Sequence, residues 1–200
     1  MSIENGQRPP DSVQETKQYS PEKVTFDEKN FTLLLDLDKA AIELEKIQPQ
    51  ADSTGLAQKD EFHITAIGFK GGAEIKKSLK ALDETARQTK IHQLQSLIDS
   101  TDWHYTIEPQ QLHIAKDYPV DPKKPDDQPE HRESFIQLVN VPAMESFYSQ
   151  LNGLLGTAIE VPPSHITLFT GGNKPESAKQ GIGINTKADL EKLNPQPINT

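Results

Sequence analysis

The tripeptide His-Ile-Thr occurs twice in this 200-residue chain, as His63 to Thr65 within EFHITAIGF and as His165 to Thr167 within PSHITLFTGG. In a β-strand alternate side chains share a face, so His63 and Thr65 project together while Ile64 points the other way, and His165 and Thr167 repeat the arrangement. Each unit then presents an imidazole that titrates near neutral pH beside a hydroxyl able to donate to an anionic oxygen. Cleaving a phosphodiester requires an oxygen nucleophile to lose a proton and an alkoxide leaving group to gain one, and two histidines in opposite protonation states do both. The two threonine hydroxyls would hold the non-bridging phosphate oxygens as charge develops there. With six histidines and 14 threonines in 200 residues, about 0.4 His-x-Thr triplets are expected by accident, so two copies with the same central residue and a following apolar run are a specific signal.

Short apolar segments must carry these units. EFHITAIGF and VPPSHITLFT read as strands, each closed by a glycine pair, Gly71-Gly72 and Gly171-Gly172. FTLLLDL (Phe31 to Leu37) and ESFIQLVNV (Glu133 to Val141) read as further strands, and WHYTIE with QLHIAK reads as a hairpin closed by a very short turn. Helical spacing runs over Lys39 to Ile47, over Ala73 to Ser100, and through AMESFYSQLNGLLG from a start at Pro142 to a stop at Gly156. A last helical turn begins at Thr186, a candidate N-cap, and QPQADSTGLAQKD reads as loop. DYPVDPKKPDDQPEH, with four prolines, reads as a mobile surface loop beside a site or as a plain connection. Strands interspersed with helices in this order predict an α+β fold with helices packed on antiparallel sheet.

Residues 1 to 30 contain few large apolar groups and read as a disordered N-terminal tail, leaving residues 31 to 200 as one domain. A formal charge of -9 and no basic stripe argue against binding duplex nucleic acid, so a phosphate-handling site here favours a nucleotide or a strand end. Zero cysteines exclude disulfides, thiol catalysis and the usual structural zinc sites. No secretory signal or membrane-length apolar run is visible, so the expectation is a cytoplasmic protein without a membrane partner.

Around the motifs, Trp103 and Tyr105 share a strand face and are candidates for stacking a base. Tyr118 opens the proline-rich loop and Arg132 closes it, and either can reach a base or phosphate from there. Phe169, two residues after Thr167, is expected to wall the site, whereas Phe62, Ile64, Ile166 and Leu168 pack beneath helices. His92, His104, His113 and His131 lack a repeated context and read as structural or surface residues. No metal site or cofactor is assigned, because each motif pairs histidine with threonine and not with a carboxylate or second histidine.

The segments FHITAIGF and PPSHITLFTGG, supported by ESFIQLVNVPAMESFYSQLNGLLG and GIGINTKADLEKLNP, resemble the two-histidine (2H) phosphoesterase superfamily, in its 2′-5′ RNA ligase-like and cyclic phosphodiesterase branch. The resemblance spans roughly Phe31 to Pro195. It implies a bilobal, duplicated fold with antiparallel sheets, helices packed outside and both motifs lining a central cleft. It also implies metal-independent cleavage of a cyclic phosphate or phosphodiester in a nucleotide, cyclic oligonucleotide or RNA end. His63, Thr65, His165 and Thr167 carry over as its catalytic set. Two alternatives remain open, a nucleotide-binding or sensing module without turnover and an RNA 2′-5′ ligase working in the reverse direction.

Overall fold

A computed structural model describes residues 17–120, 122–123, 126–175 and 179–198. Among them nine strands form one sheet in which every pairing is antiparallel. The strands are β1 (Gln18–Tyr19), β2 (Lys23–Asp27), β3 (Thr32–Asp36), β4 (Ala57–Gln58), β5 (His63–Ile67), β6 (Tyr105–Tyr118), β7 (Glu130–Asn140), β8 (His165–Gly172) and β9 (Gln196–Pro197). They run in the spatial order β1-β6-β7-β8-β5-β3-β2, with β4 paired to β8 and β9 to β6. The two His-x-Thr strands, β5 and β8, are therefore neighbours at the middle of the sheet, each flanked by one arm of a hairpin.

Helices α2 (Phe69–Lys80), α3 (Glu84–Ser100) and α4 (Ala143–Leu155) cover one face. Ile75, Leu79, Leu94, Ile98, Phe147 and Leu151 from these helices join Leu33, Leu35, Ile64, Phe135, Ile166 and Leu168 from the strands in one buried core. On the opposite face a smaller cluster of Ile114, Ile136, Ile182 and Ile184 is closed by Leu190 of α5 (Lys187–Lys192) and Leu193. Two-sided burial of β7 and β8 follows from their apolar runs, and α+β is the observed fold class.

Several elements differ from the sequence reading. Residues 17–30 belong to the folded domain: β2 pairs along all five residues with β3, and Tyr19 of β1 stacks on Tyr105 with ring centroids 5.5 Å apart. Their polar composition conceals an edge strand, KVTFD, whose alternation is two-fold; residues 1–16 of the expected tail lie outside the described residues. The helical segment from Ala73 divides at Asp83, whose carboxylate accepts the Ala86 N–H and caps α3 afresh. Gly71 and Gly72 do not end a strand but lie in the first turns of α2. A Cβ on Gly72 would stand 2.1 Å from the Asn30 carbonyl oxygen, so only glycine lets this helix sit against the β2–β3 turn. Lys39 to Ile47 forms only a 3₁₀ turn at Lys39–Ala41, and the helix comes later, as α1 (Gln48–Thr54) within the stretch read as loop.

WHYTIE and QLHIAK are not a hairpin but parts of one long strand, β6. Pro109 removes a ladder donor, and the pairing with β7 slips between Ile107 and Gln111. The strand continues because Gln137 of β7 reaches across and donates to the carbonyls of Glu108 and Gln110. Thr186 caps α5 through a bond from the Asp189 N–H to its hydroxyl, and Gly156 ends α4 in the left-handed region, both as the sequence indicates.

Candidate functional site

Ile64 pairs with Ile166 across β5 and β8, and both side chains are fully buried under the helices. The residues on either side therefore face away from the helices. In an antiparallel register this places His63 on the Thr167 side of the isoleucine pair and Thr65 on the His165 side. Four groups from two strands share one patch, with cross-strand Cβ separations of roughly 5 Å for directly opposed positions.

The same irregularity follows each threonine. Between β3 and β5 the register slips from Leu34↔Thr65 to Leu33↔Ile67, and between β7 and β8 from Ile136↔Thr167 to Phe135↔Phe169. Ala66 and Leu168 are thus extra residues, and each bulge turns the following side chain, Ile67 or Phe169, into the core. This corrects the expectation for Phe169, which is fully buried and meets Phe135 edge-on at 6.1 Å.

The two rings have different partners. His63 lies opposite Asp36 in the β3–β5 register, and the Asp36 carboxylate accepts a 2.8 Å bond from the Thr25 hydroxyl. Burial holds the His63 pKa below its ordinary value, against the pull of Asp36 and Glu61 and with help from Lys59. The His165 ring is joined at Nδ1 to the Pro163 carbonyl at 2.9 Å. A carbonyl only accepts, so Nδ1 carries the hydrogen and Nε2 is the atom left to exchange a proton. Burial also depresses His165, with the Pro163 bond opposing and the nearby His63 charge reinforcing the shift. Among the described residues, no protein hydrogen bond engages the His63 ring or the hydroxyl of Thr65 or Thr167. All three are available to a ligand.

A glycine stands against each threonine. A Cβ on Gly68 would lie 3.5 Å from the Thr65 methyl, and one on Gly181 would lie 3.2 Å from the Thr167 hydroxyl oxygen. Compared with family models, curated proteins and solved structures, the chain matches none. The site's chemistry is therefore read from its own residues.

Of the other expected site residues, the structure brings none to the patch. Trp103 and Tyr105 are buried in the main core: the Trp103 indole donates to the Ile98 carbonyl at 3.0 Å, and its ring packs against Phe147. Neither face is open to a base, because the WHYTIE alternation serves the helix layer. Arg132 pairs with Gly172, five positions along β8 from Thr167 and so about 17 Å away along the strand. Its guanidinium is held by Glu130 through bonds of 2.7 and 3.0 Å and lies over the Tyr118 ring at 4.6 Å. Tyr118 and Arg132 stabilise one another at the hairpin end. On the helix side of the same hairpin, Glu133 bridges His113 at 2.7 Å and His131 at 3.2 Å, and His131 also meets Asp117 at 2.7 Å. Residues that the sequence reading missed are Asp36, whose signal was an acid near the end of the apolar run FTLLLDL, and Gly181, whose place against Thr167 comes from bringing distant segments together.

Proposed function

We propose that the chain is a metal-independent phosphoesterase that hydrolyses a cyclic phosphate or phosphodiester of a nucleotide, cyclic oligonucleotide or RNA end. The observation carrying this reading is the register at Ile64↔Ile166, which gathers two histidines and two threonines with free hydrogen-bonding groups onto one face of adjacent central strands. The near-mirror strand order about that pair, and the bulge repeated after each threonine, support a duplicated, bilobal arrangement with the cleft over this patch.

In the proposed reaction a water is deprotonated at the Nε2 lone pair of His165, which burial and the neighbouring His63 charge keep neutral. The water oxygen attacks phosphorus, and the P–O bond to the ribose oxygen breaks. His63, whose pKa burial lowers while Asp36 opposes that shift, gives its proton to the departing alkoxide. Thr65 and Thr167 donate to the non-bridging oxygens, and their effect is greatest where negative charge accumulates in the transition state.

The test is a panel of cyclic mononucleotides, cyclic oligonucleotides, 2′-5′ dinucleotides and RNA with a 2′,3′-cyclic end, with products resolved by mass and repeated in EDTA. Turnover that survives chelation and vanishes in His63→Ala and His165→Ala supports the reading. Activity lost in EDTA and restored by zinc or manganese overturns it, as does saturable nucleotide binding with an inert panel.

A further inference from the structure

Thr167 sits where one edge of β8 passes from one neighbour to another. Ile166, before it, pairs with Ile64 of β5, while Phe169 and Thr170, after it, pair with Gln58 and Ala57 of β4. Leu168, the extra residue of the bulge, has its carbonyl in this gap, and the Lys59 N–H donates to it at 2.9 Å. The backbone of Lys59 thus closes the gap beside Thr167, four residues before His63.

The Lys59 side chain then crosses to a third segment, where its ammonium donates to the Lys179 carbonyl at 2.9 Å. That carbonyl begins a stretch, 179–186, that runs over the patch side of the sheet: Ile182 and Ile184 are buried with Ile114 and Ile136, opposite the helices. The same stretch approaches both motifs. Gly181 backs Thr167, where an added Cβ would lie 3.2 Å from the hydroxyl oxygen. Asn185 stands near Gly68, whose added Cβ would lie 3.9 Å from the Asn185 Oδ1 and 3.5 Å from the Thr65 methyl. Lys59 is therefore tied by its backbone to the strand that carries Thr167 and by its side chain to the segment behind that threonine.

The ammonium also belongs to the charged surroundings of an imidazole. His63 is faced by Asp36 from β3, by Glu61 and Lys59 from the segment leading into β5, and by His165 from β8. Burial is the main influence lowering the His63 pKa; Asp36 and Glu61 oppose it, and Lys59 adds to it.

We propose, resting on the phosphoesterase reading, that Lys59 is a positioning residue of the site: it pins the 179–186 segment against Thr167 and holds a positive charge beside His63. It acts through the threonine hydroxyl and the imidazole, without contact to the substrate.

The experiment compares the full chain with Lys59→Met, which keeps the apolar stem and removes the ammonium, and Lys59→Arg, which restores a cationic donor. The readouts are melting temperature, kcat and KM on a 2′,3′-cyclic mononucleotide across pH, and the titration of the His63 imidazole C–H resonance by NMR without substrate. Lys59→Met is expected to lower kcat about tenfold with KM within about twofold, since a misplaced hydroxyl donor costs most in the transition state. Removing a cation raises the His63 pKa, so the acid keeps its proton to higher pH. The alkaline limb of kcat/KM should therefore move upward, opposite to the effect of deleting the Asp36 charge. Lys59→Arg should recover most of kcat and return the titration toward wild type. Wild-type kcat with an unmoved His63 titration in Lys59→Met overturns the role, as does a loss that Lys59→Arg shares in full and that follows a lowered melting temperature alone. If the wild type cleaves neither this nucleotide nor any other member of the panel, the phosphoesterase reading falls. The His63 titration then decides the placement of Lys59 by itself: upward movement in Lys59→Met supports it, and no movement overturns it.

Discussion

The β3–β5 unit and the β7–β8 unit carry the same tripeptide and the same bulge, yet they set their histidines in different surroundings. His63 faces a carboxylate, Asp36, which a threonine hydroxyl fixes in place, and among the described residues its ring has no hydrogen bond to the protein. His165 is tied at Nδ1 to a backbone carbonyl that fixes its tautomer, and its nearest charged influence is His63 itself. Repetition supplies the matched geometry, whereas the neighbours supply the asymmetry. A pair of identical imidazoles would compete for the same proton; in the proposed reaction a carboxylate beside only one of them is what would separate acid from base.

Removing either ring should break the pair altogether. His63→Ala and His165→Ala are each expected to lower kcat by about 10² to 10⁴-fold with little change in melting temperature, since each deletes one proton-transfer group. The double variant should be little worse than the poorer single one, because the two act as a unit. Rates and thermal melts side by side check this, and independent, multiplying losses would contradict a shared step.

Next in size come the hydroxyls. Thr65→Val and Thr167→Val keep the shape but delete the donor, and each should cost about 10²-fold in kcat, the lower end for a positioned donor to a developing oxyanion. A rise in KM alone would mean the hydroxyls bind the ground state and not the transition state.

The glycines beside the threonines give a finer contrast. Gly181→Ala should reduce kcat severalfold, because its methyl would meet the Thr167 hydroxyl oxygen at 3.2 Å and displace it by a few tenths of an ångström. Gly68→Ala should be close to wild type, since its contacts at 3.5 and 3.9 Å are ordinary and its backbone is extended. Equal effects at the two positions would show that the threonines are not held to the same tolerance.

The smallest expected effect is a displacement along the pH axis. Both imidazoles are depressed from about 6.5, so the kcat/KM profile of the free enzyme should already fall on the alkaline side of an optimum below neutrality. Asp36→Asn removes a group that raises the His63 pKa, and an acid with a lower pKa loses its proton sooner as pH rises. The alkaline limb should therefore move to lower pH while the acid limb stays. Movement of the acid limb instead would exchange the roles of the two histidines.

Much of the patch was legible because it depends on local alternation: His63, Thr65, His165 and Thr167 share a face for reasons contained in five-residue stretches. Phe169 was misplaced by the same rule, since a bulge at Leu168 resets the alternation and nothing in LFTGG announces it. Trp103 and Tyr105 also share a face, as their spacing says, but which layer covers that face is decided by α4, distant in sequence. Pro109 looked like a turn because proline lacks a donor, and Gln137, 28 positions away, is what lets the strand continue. Asp36 sat at the end of a readable apolar run, but that it stands opposite His63 depends on which segments lie side by side, as does the approach of Gly181 to Thr167. The helix stops at Gly156 and starts at Thr186 were readable because a cap is a contract between near neighbours.

Because β5 and β8 occupy the middle of the sheet, amides across from the Ile64–Ile166 pair are flanked on both sides by other strands. Such amides exchange with solvent chiefly through global opening, while short edge strands such as β1 and β9 fray at little cost. Thermal loss of the four-residue patch should thus coincide with cooperative unfolding, with no earlier inactivation step. Deuterium labelling of a ligand-bound sample should slow the β5 and β8 amides by the full increment in unfolding free energy, leaving exchange at β1 and β9 almost as fast as before.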